Sequence, residues 1–124
     1  MGYQSFKELR VWQEAKELAV NVYTATAQGS LSRDYGLKDQ MQRAAVSIAS
    51  NIAEGYERNS DKEFIRFLMI AKGSLSELRT HLEIAKDIHY VTQETFDLLE
   101  EKCKKIGAMI TKLIQSRKEE SESR

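Results

Sequence analysis

The 124-residue chain contains no proline. Proline breaks the i to i−4 hydrogen-bond ladder, so its absence leaves room for long uninterrupted helices. Cys103 is the single cysteine, which rules out an intrachain disulfide. The only histidines are His81 and His89. No apolar run approaches the length of a membrane span, and the N-terminus lacks the apolar stretch of a secretory signal. A reducing, cytoplasmic setting is therefore the expectation. Net charge is missing as well, because 19 basic residues balance 19 acidic ones. No basic domain or tail announces electrostatic binding to nucleic acid. The balance holds locally, with five residues of each sign in 59–90 and seven of each in 93–124.

What the chain does have is helical periodicity. Over residues 36–58, winding at 3.6 residues per turn puts Leu37, Met41, Ala44, Ala45, Ile48, Ile52 and Gly55 on one side. Gln40, Arg43, Ser47, Ser50, Asn51, Glu54 and Arg58 line the adjoining flank. A face this small allows close approach to a neighbouring helix, while the flank presents a row of hydrogen-bonding groups.

Three more helices surround it in sequence. A helix over residues 5–28 opens on a capping box, with Ser5 accepting from the amide of Glu8. Its seam is Val11, Ala15, Leu18, Val22 and Ala25, widened by Trp12, Ala19, Tyr23 and Ala27. Gly29 is the expected left-handed residue at its end. The short connection over 30–35 makes the next helix an antiparallel neighbour. Ser60 and Glu63 form a second capping box, opening a helix over 61–88. That helix carries a core seam of Phe64, Leu68, Ala71, Leu75, Leu78, Leu82 and Ala85. A second seam, Phe67, Ile70, Ser74, Glu77, His81, Ile84 and Ile88, runs beside it. It reads either as an interface with another chain or as the flank of the monomer core. Residues 89–92 end the helix without a glycine. Thr92 then caps a helix over 92–117, with Val91 and Phe96 as a hydrophobic staple. Its seam is Phe96, Leu99, Cys103, Ile106, Ile110 and Leu113, and Cys103 on a core step reads as a buried, inert thiol. The expectation is one all-α domain over residues 1–118, an antiparallel up-down-up-down four-helix bundle. Residues 119–124 are expected to be a frayed polar tail.

Catalytic signatures are absent. A di-iron bundle needs Glu-x-x-His pairs, but Leu78 and Lys86 stand three residues before the two histidines. Glu77 and His81 share a face, yet two ligands make no metal site. Phosphotransfer and helical-ribonuclease patterns fail around both histidines. There is no glycine-rich phosphate loop and no Cys/His cluster for zinc. The chain reads as non-enzymatic, with no catalytic residue, metal or cofactor. Among basic groups, Arg43, Arg58, Lys62 and Arg66 stand out, as does the line Lys72, Arg79 and Lys86 at seven-residue steps. Any one of them reads more readily as part of a solvated, paired face than as a phosphate ligand.

Several spaced blocks carry a family resemblance. They are residues 6–15 (Phe-Lys-Glu-Leu-Arg-Val-Trp-Gln-Glu-Ala), then Tyr35-Gly36-Leu37 with Gln40, then residues 43–48 (Arg-Ala-Ala-Val-Ser-Ile). Residues 51–55 (Asn-Ile-Ala-Glu-Gly), Glu63-Phe64, Phe67-Leu68, Gly73-Ser74-Leu75 and Glu77-Leu78 follow in order. In these blocks the chain resembles the bacterial four-helix-bundle family named for the 23S rRNA intervening sequence. The resemblance implies a bundle that assembles as a barrel-like homopentamer, with no established enzymatic activity. A relative, the accessory variability determinant of diversity-generating retroelements, is a basic pentamer that binds nucleic acid and a reverse transcriptase; this chain is neutral where that relative is strongly basic.

Two functions of different class follow. One is an RNA- or ribonucleoprotein-associated scaffold contacting phosphates through Arg43, Arg58, Lys62, Arg66 and Arg79. The other is a protein-interaction adaptor with no direct nucleic-acid contact. Under both, Ser47, Asn51, Glu54, Ser74 and Glu77 are expected to form a structural polar network. Phe67, Ile70, His81, Ile84 and Ile88 are the expected contacts between copies.

Overall fold

The computed structural model describes residues 5–123. Four helices follow one another: α1 (Arg10–Thr26), α2 (Tyr35–Glu57), α3 (Asp61–Asp87) and α4 (Gln93–Glu122). Short 3-10 turns at Phe6–Glu8 and Gly29–Arg33 precede α1 and α2. No strand occurs among the described residues.

Cross-helix bonds give the directions. Ser47 of α2 meets Ser74 of α3, and Gly55 of α2 lies against Phe67 of α3. As the number rises on one helix it falls on the other, so the pair is antiparallel. Glu17 with Lys102 and Glu14 with Lys105 set α1 against α4 in the same sense. Arg79–Glu100 and Asp61–Arg117 do so for α3 and α4. Each helix packs on its two neighbours in a closed ring, α1–α2–α3–α4, and α2 with α3 is the most extensive pairing.

The buried seams are those that periodicity indicates. Val11, Ala15, Leu18 and Val22 face Met41, Ala45, Ile48 and Ile52, with Phe64, Leu68, Leu78 and Leu82 closing over them. On α4 the step after Ile110 is taken by Ile114, while Leu113 is only half-buried. Gly55 marks the closest approach of α2 and α3: a Cβ there would sit 2.5 Å from the Cβ of Phe67. The small face of α2 thus brings these two helices together.

Local chemistry sets the helix ends. Asp34 accepts from the Leu37 amide at 3.1 Å, Ser60 from Glu63 at 3.3 Å and Thr92 from Thr95 at 3.1 Å. Gly29 adopts φ +56°, the left-handed conformation that glycine reaches without a Cβ clash. At the end of α3, His89 takes that role with φ +63°. Its amide donates to the Lys86 carbonyl and the Tyr90 amide donates to Ala85, the paired bonds of a Schellman motif.

Two boundaries differ from expectation by more than two residues. The first helix starts at Arg10, not residue 5. Ser5 caps only the 3-10 turn, accepting from the Lys7 amide, and Leu9 is extended with its side chain in the core. Burying Leu9 and stacking Phe6 edge-on to Trp12 at 5.1 Å outweigh the continuous helix. At the other terminus α4 continues to Glu122, five residues beyond the expected end at 117. The Gln115 side chain donates to Glu119 across one turn of this exposed extension.

Candidate functional site

Helix α3 separates two surfaces. On its α2 side lies the second seam. Phe67 and Ser74 are buried at 7% and 8% exposure, whereas Ile70, Ile84 and Ile88 are 42–45% exposed. Met69, 56% exposed, adds to the outward side. His81 is half-buried, and its Nδ1 is closed off from solvent with no hydrogen-bond partner among the described residues. Gly73 stands in the same outward face, and nothing lies within 4 Å of where its Cβ would be.

Above this seam α2 supplies polar groups. The Ser47 and Ser74 hydroxyls are 2.8 Å apart. The Asn51 amide donates to the Ser47 hydroxyl at 2.9 Å and to its carbonyl at 2.8 Å. These three residues stitch α2 to α3. Glu54 is turned instead to Arg58, and Glu77 is exposed and reaches none of the three.

The five basic residues do not converge on one site. Arg58, Lys62 and Arg66 gather at the α2–α3 turn, where the Arg58 and Arg66 guanidinium groups lie over the Phe67 ring at 5.1 and 4.6 Å. Each is also held by a carboxylate, Glu54 at 3.0 Å and Glu63 at 3.1 Å. Arg43 is in the middle of α2, 2.8 Å from Asp39. Arg79 turns toward α4 and grips Glu100 with two bonds, of 3.2 and 2.7 Å. That fork holds the Glu100 carboxyl below the usual carboxylate range. Among the described residues, Lys62 is the one of the five with no ion pair.

On the α4 side of α3 runs an open groove of about 430 Å³, lined by Lys72, Ser76, Arg79, Lys104, Gly107 and Thr111 among others. Lys104 and Thr111 had no signal of their own in the sequence. Only the facing of α4 against α3 brings them opposite Lys72. A smaller hollow of about 380 Å³ at the end of the bundle is lined by Asn21, Gln28, Tyr90 and Leu98 with their neighbours.

Nothing in these surfaces assembles reactive groups. No cluster of three or more His, Cys, Asp or Glu residues able to hold a metal ion occurs among the described residues. Cys103 forms part of the groove floor but is fully buried, and desolvation pushes its thiol up to about 12. No helix among the described residues is long and apolar enough to cross a membrane.

The sequence profile of the 23S rRNA-intervening sequence protein family matches residues 7–112. The chain belongs to this family. A crystal structure of a protein of unknown function from the S23 ribosomal protein family of Bacteroides thetaiotaomicron superposes with a TM-score of 0.77 at 24% identity. The match covers 84% of this chain and 97% of that one, and at this identity it speaks for the fold alone. Among curated proteins none matches. The intervening-sequence protein fold thus accounts for the bundle, and function has to be argued from the surfaces.

Proposed function

We propose that this intervening-sequence protein is a non-catalytic scaffold that joins copies of itself through the outward face of α3 and serves an RNA- or ribonucleoprotein-associated assembly. The carrying observation is the exposed aliphatic line Met69, Ile70, Ile84 and Ile88 around Gly73. A soluble helix gains nothing by leaving such residues in water, and a mid-helix glycine costs about 1 kcal/mol relative to alanine. A second chain lying along α3 accounts for both. It covers the isoleucines, and its side chains or backbone come close where Gly73 has no Cβ. With 27 residues, α3 is about 40 Å long, enough for the roughly 800 Å² per partner of a stable interface. A closed homopentamer, the form implied by the family resemblance, repeats this contact around a ring.

The ribonucleoprotein association takes its support from the family description. The adaptor alternative needs the same ring and differs only in its partner. Light scattering in solution, with and without RNA across a salt series, tests the proposal. The expected result is a pentamer that gains mass with RNA at low salt and loses it at high salt. An Ile70→Asp, Ile84→Asp double variant is expected to be a monomer with unchanged helical circular dichroism. A monomeric wild type at tens of micromolar overturns self-assembly. A pentamer indifferent to RNA overturns the RNA association and leaves the adaptor.

A further inference from the structure

The groove between α3 and α4 lies on the opposite flank of α3 from the second seam. Lys72 and Arg79 stand on one wall, seven residues or about 10 Å apart along the helix axis. Lys104 stands on the other, and the antiparallel register places it along the axis between them. Arg79 is paired with Glu100, which also lies in the field of Lys104, and among the described residues neither Lys72 nor Lys104 has a carboxylate within salt-bridge distance. Glu83, one turn beyond Arg79, pairs with Lys86 at 3.3 Å. In a chain of zero net charge, the side chains lining the groove include three cations and no carboxylate.

Its floor is built of small and hydroxylated residues. Gly107 and Ala108 leave the centre shallow, and Ser76 and Thr111 offer donors beside the lysines. An anion entering the groove meets ammonium groups from both walls and hydroxyl hydrogens between them. Phosphate oxygens suit this donor set, since a lysine binds phosphate as a point charge. The cations are spread along the axis and do not close around one point, so they match successive phosphates better than a single one. No aromatic side chain lines the groove, so it holds no platform on which a base could stack.

We propose that the α3–α4 groove binds the phosphodiester backbone of a single nucleic-acid strand, without sequence preference, through Lys72 and Lys104 with Ser76 and Thr111 as hydrogen-bond donors. This deepens the ribonucleoprotein reading by naming where the strand lies, and the groove itself is complete within one chain. Arg79 is a positioning residue here, since its bond to Glu100 ties the two walls together.

The test is fluorescence anisotropy with an end-labelled 20-nucleotide polyuridine strand, comparing wild type with a Lys72→Gln, Lys104→Gln variant between 50 and 200 mM salt. Each phosphate contact on a single strand contributes about −0.7 to the log–log salt slope. The variant is therefore expected to lose about 1.4 of slope and to bind roughly tenfold more weakly at 50 mM. A Lys16→Gln, Lys118→Gln variant removes the same charge elsewhere and is expected to stay within twofold of wild type. Circular dichroism confirms that both variants keep the fold. Absence of binding by the wild type at 50 mM salt, equal affinity of wild type and groove variant, or equal loss in the control variant overturns the proposal. Displacement of the strand by millimolar inorganic phosphate at constant ionic strength also overturns it, because that marks a site for one phosphate. Particle mass read in the same samples separates the two proposals: a monomer that still binds through these lysines sinks self-assembly and keeps the groove.

Discussion

The contact at Gly55 gives the sharpest prediction about what holds this bundle together. Replacing Gly55 by alanine in the last turns of α2 improves helix propensity by about 1 kcal/mol. Against that, the new methyl sits 2.5 Å from the Phe67 Cβ and 3.1 Å from the Phe64 ring. Carbon atoms rest at about 3.5–4.0 Å, so the first contact is short by roughly 1 Å. Neither Cβ can rotate away, because both are fixed to helix backbones, so α2 and α3 must separate. Overpacking of this kind costs about 1–3 kcal/mol, and two rigid partners put the cost at the upper end. The net effect of Gly55→Ala is a loss of about 1–2 kcal/mol, or about 4–8 °C in Tm for a domain of this length. Gly36→Ala is the matched control, since a Cβ there meets only the Asp34 Oδ1 at 3.8 Å. It is expected to leave stability unchanged or raise it by up to about 1 kcal/mol. Urea and thermal denaturation followed by circular dichroism at one fixed protein concentration measure both, and the proposed self-association makes that constancy necessary. A Gly55→Ala protein as stable as wild type refutes the close approach as the reason for glycine.

Two other perturbations test the interior. Cys103 is expected to stay unmodified by a thiol reagent at pH 8 in the folded protein and to react fully in denaturant, since burial pushes its thiol up to about 12; rapid labelling of the native state contradicts this. Glu100→Gln is expected to destabilise the protein at pH 7, because the Arg79 fork lowers the folded-state pKa of Glu100. A depressed carboxylate pKa contributes stability above the ordinary value of about 4.3, lost as pH falls through the lower folded value. The gap between wild type and Glu100→Gln should therefore narrow as pH falls below the ordinary carboxylate value in acid-titrated melts, and a gap that does not narrow refutes the assignment.

Much of the fold was legible because its determinants are local. The Ala/Gly face of α2, the caps at Ser60 and Thr92 and the left-handed Gly29 each depend on residues within one or two turns. The start of α1 was not legible, since Ser5 and Glu8 spell a capping box. Leu9 is pulled into the core by residues far away in sequence, and that burial sets its extended backbone. The end of α3 was only half legible. The lack of glycine was visible, but not that His89 would take a left-handed conformation so that Tyr90 could fold back on Ala85.

The surfaces were harder to read than the core, for a different reason. Arg43 with Asp39 and Arg58 with Glu54 are four apart, so their pairing can be read along one helix. Arg79 is four residues from Glu83, yet its partner is Glu100 on another helix, 21 residues away, and Glu83 pairs with Lys86, so spacing along α3 alone does not give this pairing. The facing of Lys72 and Lys104 across the groove emerges by the same step. Gly73 extends the point beyond the chain itself. Gly55 explains its own lack of a side chain through Phe67, whereas Gly73 faces open space in the middle of a 27-residue helix. Flexibility does not account for it, because its neighbours Ser74 and Leu75 are buried and α3 continues for three more turns. If a glycine there answers a packing need, the partner lies outside this chain. In the proposed assembly that partner is a second copy lying along the exposed isoleucines of the same face.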